Sequence, residues 1–269
     1  MKIPTISRIL GLAAIACLAA SCAKEESSTT AAPAAAAEKP APVAKAPAEK
    51  PAPAKKEEAK AEWIAMFNGK DLTGWKSNEE NPNCFSVENG ELKVSGGRAH
   101  LFYVGEDGKA DFKDFEFKGK VKTTAGSNGG IYFHTAFEES GWPSKGYECQ
   151  VNSTHKDPKK TGSIYGVVNC LVLAEGQEPP AGSLENHILE KAPSTDGEWF
   201  DYSITVKGSK ITLKVNGEET ATFTEPEGWD PATALKNMPG RALSHGIFAI
   251  QGHDPDSTCY YKDFMVRKL

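Results

Sequence analysis

Phe85-Ser-Val-Glu-Asn-Gly-Glu-Leu-Lys-Val94 reads as two short strands around a tight turn. Phe85 and Val87 alternate with polar residues, and so do Leu92 and Val94, which is the period-2 pattern of a half-buried strand. Asn89-Gly90 between them supplies the two residues that best tolerate positive φ, as a two-residue hairpin loop requires. The same signature recurs at Ile211-Thr-Leu213-Lys-Val215, which runs into Asn216-Gly217. Working outward, Phe115 to Val121, Ile131 to His134, Tyr202 to Val206, Gly246 to Gln251 and Tyr260 to Val266 all alternate. About ten short strands with turn signals between them predict an all-β sandwich or barrel.

Helical periodicity is nearly absent. One short helix is expected over Asp230 to Met238, with Asp230 as its N-cap and Pro231 in the first helical position. Two stretches interrupt the strand rhythm, Leu171 to Thr195 and Glu225 to Ser244. Loops of that length in a compact domain usually carry function, and both are expected to form rims of a groove.

The chain is 269 residues long, and its first quarter is not built to fold. Lys2 and Arg8 precede the apolar run Ile9 to Ala20, the layout of an export signal over residues 1–21. That run is too short for an ordinary membrane-spanning helix. Leu18-Ala19-Ala20-Ser21-Cys22 resembles a bacterial lipobox with Leu one place early, which implies acylation of Cys22 and a lipid anchor in the cell envelope. Cys17 is a second candidate, and plain secretion is the alternative. Lys24 in place of Asp favours, by resemblance to enterobacterial sorting, an outer membrane with the domain on its periplasmic or surface face. Residues 22–61 form a linker of Ala, Pro, Lys and Glu, where repeated prolines favour extended chain at about 3 Å per residue. Such a composition cannot bury a core. The folded domain is expected over 62–269.

A net charge of −5 with both signs interspersed offers no basic patch for nucleic acid. Four cysteines, Cys84, Cys149, Cys170 and Cys259, fall in the folded part. An oxidising compartment permits disulfides, four cysteines allow three pairings, and buried free thiols are an equally good reading. Their spacing does not suggest zinc.

Three clusters carry candidate chemistry. In Tyr147-Glu148-Cys149-Gln150-Val151-Asn152, a strand places Glu148, Gln150 and Asn152 on one face and the cysteine and valine on the other. Such a row suits a polar ligand, and it also suits an ordinary solvated sheet face. In Ile131-Tyr132-Phe133-His134, Tyr132 and His134 share one face, and the histidine gains chemical meaning only beside Glu148. In Gln251-Gly252-His253-Asp254-Pro255-Asp256 a strand ends in a polar turn. His253 could touch a ligand there, and Asp254 with Asp256 could bind a divalent cation such as calcium; Asp-Pro-Asp is equally ordinary turn chemistry. Among nucleophile and nucleotide templates, the Gly-x-Ser-x-Gly elbow, the Walker loop and the dinucleotide fingerprint are all missing. The paired carboxylates of a retaining glycosidase strand fail too, because Gln150 stands where the second acid would fall.

The chain from Phe67-Asn-Gly-Lys-Asp-Leu-Thr-Gly-Trp75 to its C-terminus resembles the 3-keto-disaccharide hydrolase family, a concanavalin A-like jelly roll. Further marks are Phe85 to Leu92, Ser127-Asn-Gly-Gly-Ile-Tyr-Phe-His134, Gly146-Tyr-Glu-Cys-Gln-Val151, Gly162-Ser-Ile-Tyr-Gly166, Gly197-Glu-Trp199, Val215-Asn-Gly217 and Gly246 to His253. His134 stands where the family often has Arg, Asn152 where Asp is common, and Asp254 where Gly follows the histidine. The resemblance implies cleavage of 3-keto-glycosides: a keto group at carbon 3 acidifies the hydrogen on carbon 2, and the group on carbon 1 then leaves by elimination. For that chemistry the shared strand faces point to Glu148 as the acid/base and to His134 and His253 for charge stabilisation or proton transfer. Gln150, Tyr165, Asn152, Tyr132 and Gln251 would hold the sugar, and a divalent cation could replace a histidine. The alternatives are a non-catalytic carbohydrate-binding module, with Trp142, Trp199 or Trp229 stacked on sugar rings, and a structural or adhesive envelope protein.

Overall fold

The computed structural model describes residues 61–235 and 237–269. The expected export signal, Cys22 and nearly all of the linker lie outside the described residues. Strands β1 (Ile64–Ala65), β2 (Trp75–Ser77), β3 (Phe85–Glu88), β4 (Glu91–Ser95), β5 (Ala99–Tyr103), β6 (Phe115–Thr123), β7 (Gly129–Thr135) and β8 (Tyr147–Val151) make the first half. The second half holds β9 (Val168–Leu171), β10 (Glu185–Ile188), β11 (Phe200–Lys207), β12 (Lys210–Val215), β13 (Glu218–Thr224), helix α1 (Pro231–Ala234), β14 (Ile247–Gly252) and β15 (Thr258–Lys268). One sheet has eight strands in the order β13-β12-β11-β6-β15-β4-β3, with β1 added beside β15. The other has five, β2-β5-β14-β7-β8. The result is an all-β sandwich consistent with a jelly roll. Both Asn-Gly turns form as expected, with Asn89 and Gly90 at φ 53° and 82°, and Asn216 and Gly217 at 52° and 85°.

The core fills the space between the two sheets with aromatic rings. Phe248 of β14 meets Phe115 edge-on at 4.8 Å and stacks on Phe117 at 5.2 Å, both from β6. Each such pair adds roughly 0.5–1.5 kcal/mol beyond its buried area. Gly119 on β6 is required here, because a Cβ at that point would lie 2.4 Å from the ring of Phe264. All four cysteines of the domain are buried free thiols, so the disulfide alternative is not realised.

Two expectations need correction. The helix stops at Ala234, well short of Met238. Asp230 does cap it, accepting from the Ala232 N–H at 3.1 Å, but the buried Leu235 closes the turn and Pro239 disfavours helix at the residue before it. The stretch from Leu171 to Thr195 is not a rim of the main cavity. It contains β10, which pairs in parallel with β9, and its buried Ser194 bonds Ser153 and Thr161 beneath the loop.

Candidate functional site

The outer face of the five-stranded sheet is covered rather than exposed. Every residue of β5, β7 and β8 is buried, on both faces. The cover comes from the loops around Trp142 and around Arg241, and beneath it lies a cavity of about 520 Å³. Alternation along the strands places Tyr132, Glu148, Gln150 and Gln251 on its floor, with Tyr165 and His253 at its wall. Six of the residues singled out in the sequence therefore converge on one hollow.

Glu148 is its centre. The residue is 6 % exposed, and its carboxylate accepts from three side chains. Tyr132 donates to Oε2 at 2.7 Å, Arg241 to the same oxygen at 3.0 Å, and Gln251 to Oε1 at 2.9 Å. A buried carboxylate needs such partners, since an unpaired charge away from water is costly. Burial and the neighbouring carboxylate push the Tyr132 hydroxyl well above the ordinary phenol range, so it stays a donor. Arg241 belongs to the loop expected as a rim, and the loop is tied down. Trp229 donates to the Arg241 carbonyl at 2.7 Å, and Glu225 accepts from both Tyr147 and the Leu243 N–H at 2.5 Å.

His253 forms a second centre. Its Nδ1 lies 2.7 Å from Asp254 Oδ2, which assigns the proton to Nδ1 and leaves Nε2 toward Asn128 at 3.3 Å. Burial alone would raise the Asp254 carboxyl, but hydrogen bonds from His253, Ser257 and the Asp256 N–H outweigh it and hold it below its ordinary value. His155 faces the pair, its Nε2 3.8 Å from Asp254. Burial, reinforced by the neighbouring His253, lowers the pKa of His155. Ligand atoms of His155, His253 and Asp254 lie within 4.8 Å of one another and could hold a divalent cation. The donors include two imidazoles, so the set suits a transition metal better than the calcium expected from Asp254 and Asp256. Asp256 is not part of it. Uptake would compete with protons, because His155 Nδ1 accepts from the Asp157 N–H and its own proton therefore sits on Nε2.

Two expected site residues lie elsewhere. His134 is turned out of the cavity by a β-bulge. Pairing of β14 with β7 jumps from Ile247↔Thr135 to Ala249↔Tyr132, so Phe133 and His134 together oppose one residue. His134 takes φ 56°, and an extra residue of this kind reverses the alternation beyond it. Its Nε2 meets the Lys113 carbonyl at 2.8 Å, and it lines a separate hollow with Ser244 and His245. Asn152 is spent inside its own loop. Its amide donates to the carbonyls of Asp157 and Lys159 and accepts from the His155 N–H, which fixes the segment that presents His155. Of the three tryptophans, only Trp142 lines the cavity. Trp199 lies between Lys122 and Lys262 on the other sheet, and Trp229 supports the Arg241 loop.

Arg241, His155 and Asn128 were not foreseen as site residues. Arg241 is the one arginine in the Glu225 to Ser244 stretch, which was the available signal. Buried polar side-chain atoms without partners concentrate here: Asn128 Oδ1, Gln150 Oε1, Gln251 Oε1 and Arg241 Nε belong to cavity-lining residues, and both ring nitrogens of His100 lie next to them. Such atoms each cost about 1–3 kcal/mol when unpaired, so a polar ligand or water in the cavity would satisfy them.

A family described as "3-keto-alpha-glucoside-1,2-lyase-like domain" matches residues 62–267. Two solved structures from Parabacteroides distasonis, both provisionally assigned as glycosyl hydrolases, share the fold. One is 23 % identical with a TM-score of 0.58, covering 77 % of this chain and 94 % of its own. The second is 21 % identical with a TM-score of 0.54, covering 77 % and 100 %. No curated protein matches the chain.

Proposed function

The chain belongs to the 3-keto-alpha-glucoside-1,2-lyase-like family, and from that premise we propose that it cleaves glycosides oxidised at carbon 3 by elimination across carbons 1 and 2. The observation that carries this reading is the Glu148 carboxylate on the floor of a sugar-sized cavity, held by Arg241, Tyr132 and Gln251. Glu148 takes the proton from carbon 2, and the electron pair of that bond becomes an enolate with its charge on the carbon 3 oxygen. As Glu148 is neutralised, the Arg241 guanidinium is released to face that new charge, an electrostatic transfer needing little rearrangement. The enolate then collapses: the carbonyl at carbon 3 re-forms, a double bond forms between carbons 1 and 2, and the bond from carbon 1 to the leaving oxygen breaks. His253 in its protonated form, supported by Asp254, donates to that oxygen. Water then adds across the double bond. Its hydroxyl goes to carbon 1 and its proton to His253, while Glu148 returns its proton to carbon 2. The net reaction is hydrolysis, and only one carboxylate is needed.

The test is incubation with 3-keto-trehalose and methyl 3-keto-α-glucoside, with and without a chelator, followed by product analysis. Wild type is expected to release the aglycone and Glu148→Gln to lose about 10²–10⁴-fold in turnover. Full turnover in Glu148→Gln removes the carboxylate from the mechanism; retention of sugar without release makes the protein a non-catalytic binding module.

Export and anchoring through Cys22 belong to the same proposal. Several acyl chains on one cysteine give stable membrane attachment where a single chain is marginal. Mass analysis of the N-terminal peptide from the native envelope tests it: a diacylglyceryl cysteine at position 22 supports the anchor, and an unmodified peptide overturns it.

A further inference from the structure

The segment Leu184 to Ile188 has no part in the cavity, yet its backbone is unfinished. Strand β10 pairs with β9 on one side and, among the described residues, with no strand on the other. The N–H groups of Glu185 and Leu189 donate to the Val167 and Leu171 carbonyls at 3.0 and 2.8 Å. Backbone groups alternate sides along a strand, so Asn186 and Ile188 turn their N–H and C=O to the open edge. An edge of this kind is a template for pairing with another chain, and soluble domains usually blunt it with lysine, proline or a bulge. β10 carries none of these: it reads Glu-Asn-His-Ile, and its register with β9 is continuous. The strand is also held ready, because Asn186 Oδ1 accepts from the buried Asn169 at 2.9 Å. Leu184 and Ile188, two residues to either side of Asn186, are 46 % and 57 % exposed.

Leu184-Glu185-Asn186-His187-Ile188 is self-complementary: apolar, acid, amide, base, apolar. We propose that β10 pairs antiparallel with the β10 of a second copy of this chain, on a two-fold axis through Asn186, making one sheet across the dimer. The two Asn186 backbones then exchange hydrogen bonds, and each Ile188 N–H reaches the Leu184 carbonyl opposite. Pairing ends there, since the Leu184 N–H is already spent on Val167 at 3.1 Å. Leu184 lies against Ile188 at both ends. Glu185 lies against His187 in the pairs without backbone bonds, where side chains come closest and opposite charges stabilise. Moving the axis by one residue sets Glu185 or His187 opposite itself, so charge selects the register. Within one copy these two side chains already meet, His187 Nε2 lying 2.6 Å from Glu185 Oε1, and the dimer joins two such pairs on one face. A closed two-fold contact uses up both open edges. One short strand buries less than the roughly 1,200 Å² of stable complexes, so the dimer is weak, with Kd on the order of 10–100 µM.

The experiment is sedimentation velocity of the full chain from about 1 to 300 µM, a range that brackets this Kd. Wild type is expected to pass from monomer to dimer. Ile188→Pro removes an N–H that β9 does not use, and Glu185→Lys places two lysines against two histidines; each is expected to raise Kd at least about tenfold. The exchange Glu185→Lys with His187→Glu restores the cross-strand pairs and is expected to bring Kd back within about threefold of wild type. A structural defect would not be repaired by that exchange. Monomer throughout the range, a dimer that survives either single substitution, or an exchanged variant as weak as Glu185→Lys overturns the pairing.

Discussion

The two sheets of this sandwich obey the same alternation and end in opposite surfaces. On the eight-stranded sheet, β6 buries Phe115, Phe117 and Val121 and turns Glu116, Lys118, Lys120 and Lys122 outward. Those outward charges pair with neighbours in water, as Lys120 does with Asp201. On the five-stranded sheet, β8 turns Glu148, Gln150 and the backbone around them outward just as regularly, yet nothing there is exposed. Two loops roof that face. A polar row in a strand is thus a solvated surface or a site according to what the loops do, and strand sequence is nearly silent on the choice.

The comparison can be broken most sharply at Glu148. Loss of turnover by orders of magnitude in Glu148→Gln, with the fold intact, would separate the roofed face from the open one by function. The next contrast sets two ion pairs side by side. The side chains of Arg241 and Glu148 are 9 % and 7 % exposed, whereas those of Lys120 and Asp201 are 41 % and 67 % exposed. Arg241→Ala leaves a buried carboxylate without its cation and is expected to cost about 3–5 kcal/mol. Lys120→Met is expected to stay within about 0.5 kcal/mol. Denaturant unfolding of both variants decides it, and equal costs would mean that the roof does not exclude water.

A subtler contrast lies in pH. His100 is fully buried under Trp142, and burial drops its pKa to about 4. The unfolded chain takes up a proton near pH 6.5 and the folded protein only near 4, so stability falls as pH drops through that window. The loss from this one group is about 3 kcal/mol. His100→Phe fits an aromatic setting of Phe102, Tyr132 and Trp142. The variant is expected to flatten the stability profile between pH 4 and 6.5, measured by unfolding at several pH values. An unchanged slope would show that the pocket admits water to the imidazole.

Much of this was legible beforehand because it is local. Asn-Gly turns and period-2 patterns depend on neighbours in sequence, so strands β3, β4 and β12 could be read almost to the residue, and β11 through its middle. The sharing of one face by Glu148 and Gln150 followed from strand geometry alone, whereas Tyr132 joins them through the pairing of β7 with β8. His134 was misplaced for a local reason that sequence does not display: a bulge inserts one residue and flips the alternation, and its signature is a φ value rather than a residue type. Asn152 failed differently. Its residue type suits a ligand contact, but its loop folds back and consumes every polar atom of its side chain.

Arg241 and His155 were beyond reach for a third reason. Arg241 lies 93 residues after Glu148, and only packing brings it to the cavity; His155 stands on the loop after β8, and only packing sets it against His253 and Asp254. The sequence alone determined an all-β domain, its hairpins, the polar row around Glu148 and a weakly acidic charge balance. Tertiary structure alone decided that the row is roofed, that its carboxylate has a guanidinium partner, and that His155 faces His253 and Asp254. The division is physical: hydrogen-bonded ladders and turns are encoded over a few residues, while burial of charge depends on which distant loops pack above it.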